Sequence, residues 1–320
     1  MQRLRMSTLP GANVSLSTFL LTGFPGLEWA HHWISLPIFA GYLVALLGNI
    51  TILHLIRTEP SLHQPMYYFL AILAVTDLGL CMSTLPSVLG VLWFDARRIR
   101  LVSCVVQQHF LHSFSFMESA VLFAMALDRL VAIRFPLRYA SVLTGSRVAV
   151  IGTVLGARSH ILTSVPSLKL LKFDYCHSGV LSHAYCIHQD MIRLACSDTR
   201  FNRLYGLCGI MLTMGSDVLF ILISYTIILC TVLAIASAAE RLKALNTCVS
   251  HILAMLCFYV PVLGLSIVHR FGHHLSPLVH MLMGTMYVIF PPLMNPIIYS
   301  IKTQQIRRAI LKMVSLGKIQ

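Results

Sequence analysis

The sequence predicts an all-α membrane protein: one bundle of seven transmembrane helices, followed by a short cytoplasmic amphipathic helix. Three observations carry that prediction. Charged residues make up 11% of the 320, hydrophobic residues 57%, and mean hydropathy is +0.78, whereas soluble domains carry about 25% charged residues. Seven mostly apolar runs each reach the roughly 20 residues that a bilayer crossing requires. The alternating ten-residue segments of a membrane β-barrel are absent. Composition therefore excludes a soluble enzyme, a disordered chain and a small disulfide scaffold. The 24 Lys and Arg against 11 Asp and Glu give a net charge of +13. In a soluble protein that excess would suggest nucleic acid; here it belongs in loops beside anionic membrane surfaces.

In chain order the apolar runs are 33–56, 66–93, 102–133, 148–171, 204–235, 247–268 and 278–301. The third and fifth exceed a bilayer's thickness and should tilt or project beyond it. The fourth is interrupted by Arg158 and His160. Connections are short, apart from 172–203, and no repeat of 20–50 residues is visible. The expected organisation is an outer tail over 1–32, the bundle over 33–301, and a cytoplasmic helix and tail over 302–320. Within the last segment, 303–312 reads as a basic amphipathic helix lying on the inner leaflet. Once Arg3, Arg5 and the basic residues of the long connection are discounted, the loop charges favour an extracellular N-terminus and a cytoplasmic C-terminus. The sequon Asn13-Val14-Ser15 agrees, marking Asn13 for glycosylation. The first thirty residues lack the basic-then-apolar order of a cleaved signal peptide, so the first run is expected to act as the signal anchor.

Five of the nine cysteines lie inside apolar runs, while Cys104, Cys176, Cys186 and Cys196 all fall on the outer side. Two disulfides with three compatible connectivities follow. His177, His183 and His188 stand among these cysteines, but the spacing is poor for zinc and no transition-metal site is predicted.

Ionisable residues inside spans are costly and are functional candidates by default. Asp77 and Glu118 sit mid-span, and two such carboxylates side by side need a bound cation or a shared proton. Asn49 and Asn295 would complete that polar core. The adjacent Asp128 and Arg129, at the inner end of the third run, can form a local ion pair that a partner releases. In the seventh run, Pro296 removes a backbone donor and creates a hinge.

Several motifs then occur in a fixed order: Gly48-Asn49, Leu62-His63-Gln64-Pro65-Met66-Tyr67-Tyr68, Asp128-Arg129, Ser224-Tyr225, Lys243-Ala244-Leu245-Asn246-Thr247-Cys248-Val249-Ser250-His251, and Asn295-Pro296 with Tyr299. Together they resemble the olfactory receptors, a family of rhodopsin-like G-protein-coupled receptors. His183-Ala184-Tyr185-Cys186-Ile187-His188-Gln189-Asp190 and the stretch from Phe258 to Gly272 are similar to the class I, fish-like branch. The resemblance spans about 18–310.

That resemblance implies pairs Cys104–Cys186 and Cys176–Cys196, with the long connection capping a ligand cavity. It implies small volatile or water-soluble ligands, carboxylic acids above all. Arg270 would clamp the carboxylate with its planar fork, helped by Ser266, His188 and Gln189, with His112 and Phe116 as the facing wall. Asp128, Arg129, Tyr225, Asn295, Pro296 and Tyr299 would form the switch to a stimulatory olfactory G protein that raises cyclic AMP. The implied place is the plasma membrane, with multiple passes. No cofactor is expected beyond a structural sodium ion at Asp77, Glu118 and Asn49. No enzyme activity and no nucleic-acid partner are expected either. The sequence departs from the family at Leu130, where a Tyr is usual, and at Arg134, where a Cys is usual. A poorly coupling receptor is therefore one alternative, a same-fold receptor for a non-odorant metabolite another. A transporter is a distant third, because inverted repeats and paired broken helices are not apparent.

Overall fold

The computed structural model describes residues 17–176, 178–272 and 275–316. The helices that form the bundle are α1 (His31–Thr58), α2 (Pro65–Phe94), α3 (Leu101–Arg134), α5 (Gly145–Leu170), α7 and α8 (Arg200–Leu212 and Met214–Leu233), α9 (Ala238–Phe271) and α10 (Pro277–Lys302). Short helices α4 (Tyr139–Val142) and α6 (His188–Leu194) lie in connections, and α11 (Gln304–Leu316) follows the bundle. Among the described residues six stretches are long and apolar enough to cross a membrane, with α7 and α8 counted as one stretch, Arg200–Leu233.

The remaining crossing, α3, is the central helix. It packs against α2, α5, α8 and α9, so its polar residues face protein rather than lipid. Gln108, Ser113, Ser115, Glu118, Ser119 and Asp128 are all buried on it. The outer faces of the other helices carry exposed Leu47, Met82, Val150, Ile161, Leu222 and Leu263, the apolar coat a lipid-facing bundle needs.

Helix ends depart from the apolar runs where the helix continues past the apolar stretch. The largest extension is at α9, which begins at Ala238 rather than 247. Ser237 caps that end, its side chain accepting from the Glu240 amide, which satisfies an otherwise orphaned donor and lets the helix start among polar residues. The fifth crossing is broken at Thr213, between α7 and α8.

The segment before α1 is anchored. Strand β1 (Thr18–Leu20) pairs antiparallel with β2 (Arg98–Arg100), with Thr18 opposite Arg100. On its other side, Leu20 forms a parallel bridge with Val180 of the long connection. Phe19, Leu21 and Phe24 are buried beneath. Asn13 lies outside the described residues.

Candidate functional site

A cavity of about 100 Å³ opens between α3, α5, α7, α8, α9 and α10 under the long connection. Two disulfides hold that connection in place: Cys104 with Cys186, Cα atoms 5.4 Å apart, and Cys176 with Cys196, 6.0 Å apart. Hydrogen bonds reinforce them. Gln107 accepts from the Cys186 amide at 2.9 Å and donates to the Ser83 carbonyl at 2.8 Å. The Tyr185 hydroxyl donates to the Gly284 carbonyl at 2.6 Å. Beneath these anchors, α6 places His188 and Gln189 in the cavity wall.

His112 and Phe116, one turn apart on α3, form the facing wall, and Ser266 joins from α9. His112 Nε2 accepts from the His188 amide at 3.4 Å, and Asn202 Nδ2 lies 3.3 Å from His188 Nε2. Burial pushes the His188 imidazole down to about 4, so it is neutral at physiological pH. Gln189 Oε1 is buried without a partner, an acceptor that a donating ligand would satisfy. Apolar closure comes from Leu162, Ile210, Met214, Val262 and Leu265. Gln108 and Tyr287, not anticipated from sequence, also line the space.

Arg270 is a correction. Its side chain is exposed and does not line the cavity. The inward stripe of α9 is Val262, Leu265, Ser266 and His269, and Arg270, one residue from the helix's outer end at Phe271, lies beyond its last member with its side chain exposed. His269 occupies the place expected for the guanidinium. Among the described residues no Lys or Arg lines the cavity.

Deeper in the bundle, Asn295 Nδ2 bridges the two buried carboxylates, 3.0 and 3.2 Å from the Asp77 oxygens and 3.3 Å from Glu118 Oε1. Glu118 Oε2 and Asn295 Oδ1 remain buried without partners. These residues fit a small cation or a shared proton: two like charges are adjacent and two oxygens lack a donor. Asn49 does not join them. Its Nδ2 donates to the Ala45 carbonyl at 2.9 Å and to the Pro292 carbonyl at 3.0 Å. Pro296 has no N–H to offer the carbonyl four residues earlier, so Asn49 satisfies the group that this proline orphans.

At the opposite end from the cavity, the Asp128–Arg129 ion pair is replaced by another contact. Among the described residues no salt bridge joins the two; Asp128 Oδ1 instead accepts from the Tyr139 hydroxyl at 2.7 Å. Arg129 is buried with its Nε unpartnered, as is the Tyr299 hydroxyl. Tyr225 is engaged by His251 Nδ1 at 2.8 Å. The awkward fourth run also finds partners. Arg158 lies 3.7 Å from Asp217, which accepts from Ser119 at 2.7 Å, and His160 Nδ1 lies 3.4 Å from His109 Nε2. Asp217 escaped notice in sequence, although an acid inside the fifth apolar run is the signal that marks such residues.

Known proteins bear on this arrangement. A family model described as olfactory receptor matches residues 38–316. Human olfactory receptor 51L1 is 55% identical over 293 residues, 92% of this chain and 93% of the relative. Human olfactory receptor 51V1 is 52% identical over 316 residues, 99% of this chain and 98% of the relative. The crystal structure of squid rhodopsin aligns with a TM-score of 0.74 at 16% identity, covering 93% of this chain and 91% of that one, which shows a shared fold.

Proposed function

The chain belongs to the olfactory receptor family, multi-pass membrane receptors rather than enzymes, and from that premise we propose a ligand and a signalling route for it. The ligand is a small odorant held in the capped cavity. The enclosed space under the doubly cross-linked connection carries this reading. An engineered cavity of about 150 Å³ takes benzene, so about 100 Å³ suits roughly four non-hydrogen atoms before side chains yield. At the ligand-efficiency ceiling of about −1.5 kcal/mol per atom, affinity is limited to about −6 kcal/mol, a Kd of tens of micromolar.

Short carboxylic acids are the finer class within this proposal. Their polar end would meet Ser266, His188 and Gln189, and their chain Phe116, Met214 and Val262. Arg270 plays no part in that contact set. An odorant shifts the bundle only by binding its active form better than its resting form. The proposed route is closure of α9 around the ligand, which frees Arg129 and Tyr225 at the far end for a stimulatory G protein that raises cyclic AMP. The proposed orientation has the capped face extracellular and α11 in the cytoplasm. The Asp77, Glu118 and Asn295 centre would hold sodium or a shared proton, either of which relieves the repulsion between its carboxylates.

A cyclic AMP reporter with acids, alcohols, esters and thiols tests these readings in cells of verified surface expression. Ser266→Ala should raise the acid EC50 by about two- to twelvefold, because a hydrogen bond contributes about 0.5–1.5 kcal/mol. Arg270→Ala should change it by less than about threefold. Loss of acid responses in Arg270→Ala alone would return the carboxylate to the guanidinium.

A further inference from the structure

Beside the cavity, three side chains that the odorant reading does not use converge from separate elements. His183 comes from the long connection, Asp190 from α6 and His269 from the outer turn of α9. Their donor atoms all lie within 4.8 Å of one another. We propose that His183, Asp190 and His269 bind a divalent transition-metal ion of the zinc class, which clips the capping connection to α9.

Proton placement carries the inference. His183 Nε2 lies 3.2 Å from the His280 carbonyl and His269 Nδ1 lies 3.0 Å from the Leu265 carbonyl. A carbonyl only accepts, so each ring carries its proton on that nitrogen. The other two nitrogens, His183 Nδ1 and His269 Nε2, then present lone pairs, and both face Asp190, at 2.8 and 3.9 Å. A lone pair 2.8 Å from a carboxylate oxygen needs positive charge between them. One extra proton on His183 would serve that contact alone. It would leave Asp190 Oδ1 and His269 Nε2, both buried and without partners, unserved. A single metal ion satisfies all three atoms.

The surroundings match what such an ion requires. Metal-ligating histidines almost always donate their other ring N–H to a carbonyl or carboxylate, which fixes tautomer and orientation; both histidines here do so. Tetrahedral zinc with bonds of about 2.0–2.2 Å sets its ligand atoms roughly 3.3–3.6 Å apart; His183 Nδ1 lies 2.8 Å from Asp190 Oδ2, His269 Nε2 lies 3.9 Å from Asp190 Oδ1, and one donor atom from each of the three residues lies within 4.8 Å of the others. The Ser182 amide also donates to Asp190 Oδ2 at 2.9 Å, orienting the carboxylate. Three protein ligands leave a fourth position open, and His269 also lines the odorant cavity. The fourth position is therefore available to water or to a coordinating ligand atom.

The test uses purified, chelator-treated full-length receptor with Zn²⁺ as the probe. Micromolar Zn²⁺ should raise the thermal unfolding midpoint, and Mg²⁺ at the same concentration should not. His269→Gln should weaken Zn²⁺ binding by more than about tenfold, since even outer-shell changes cost 10–100-fold. Asp190→Asn and His183→Asn also disturb the cap, so a second measurement guards against misfolding: Co²⁺ should give the intense visible d–d bands of a low-coordinate site in the wild type and lose them in His269→Gln. A folded wild type that Zn²⁺ leaves unshifted, or a His269→Gln protein that keeps both the full shift and the cobalt bands, overturns the assignment.

Discussion

Replacing Phe116 with Ala should lengthen the odorants this receptor accepts. The phenyl ring forms part of the wall of a cavity of about 100 Å³. Benzene in a cavity of about 150 Å³ sets a scale of roughly 25 Å³ per carbon. The wild type then holds about four non-hydrogen atoms, and removing a six-carbon ring adds at most roughly 150 Å³, less whatever the walls recover by relaxing. Each methylene newly buried contributes about 0.8 kcal/mol, or about fourfold in EC50. In the wild type, chains past the limit meet overpacking of about 1–3 kcal/mol, a loss of about 5- to 150-fold. The assay is a cyclic AMP dose–response over straight-chain acids of increasing length, normalised to surface expression. Phe116→Leu should give an intermediate shift and guards against a destabilised Ala variant. An unchanged optimum chain length in well-expressed Phe116→Ala would refute the placement of the ligand against this ring.

Three further outcomes follow from the packing. Cys104→Ser opens a cross-link between positions 82 residues apart; chain-entropy reasoning puts its contribution at about 4.5 kcal/mol, so surface expression should collapse, and normal trafficking would contradict that role. Added sodium should raise the wild-type melting temperature relative to a bulky organic cation, and Asp77→Asn should abolish the difference; an equal rise in both would place the sodium effect elsewhere. Gly48→Ala would set a methyl group 2.8 Å from the Pro296 ring carbon Cβ. It should lower stability by about 1–3 kcal/mol, and an unchanged melting temperature would count against close packing of α1 on α10.

The crossings were legible because a bilayer imposes a length and a polarity that any segment meets with its own residues alone. Even α3, with Glu118 and Asp128 inside it, stood out as a run, and its polar residues are those that a central helix buries. The ends were less legible, since a capped helix continues into water wherever its local hydrogen bonds are satisfied, as α9 does from Ser237. In the site, His112, Phe116, His188, Gln189 and Ser266 do share one cavity. The cysteine pairs match those that the family resemblance implies.

Partner choice was another matter. Asp128 turns to Tyr139 rather than to its neighbour Arg129, Asn49 to the Pro292 carbonyl rather than to Asp77, and Asp217 to Arg158 and Ser119. His269 faces the cavity and Arg270 does not. Each of these depends on the azimuth of a helix and on what the neighbouring helix presents at that height. Adjacent residues on a helix point about 100° apart. Sequence alone therefore determined that this chain crosses a membrane as a receptor bundle with acids in its interior and cysteines on one side. The tertiary structure decided which groups meet, because a single step of rotation separates a residue in the cavity from one outside it.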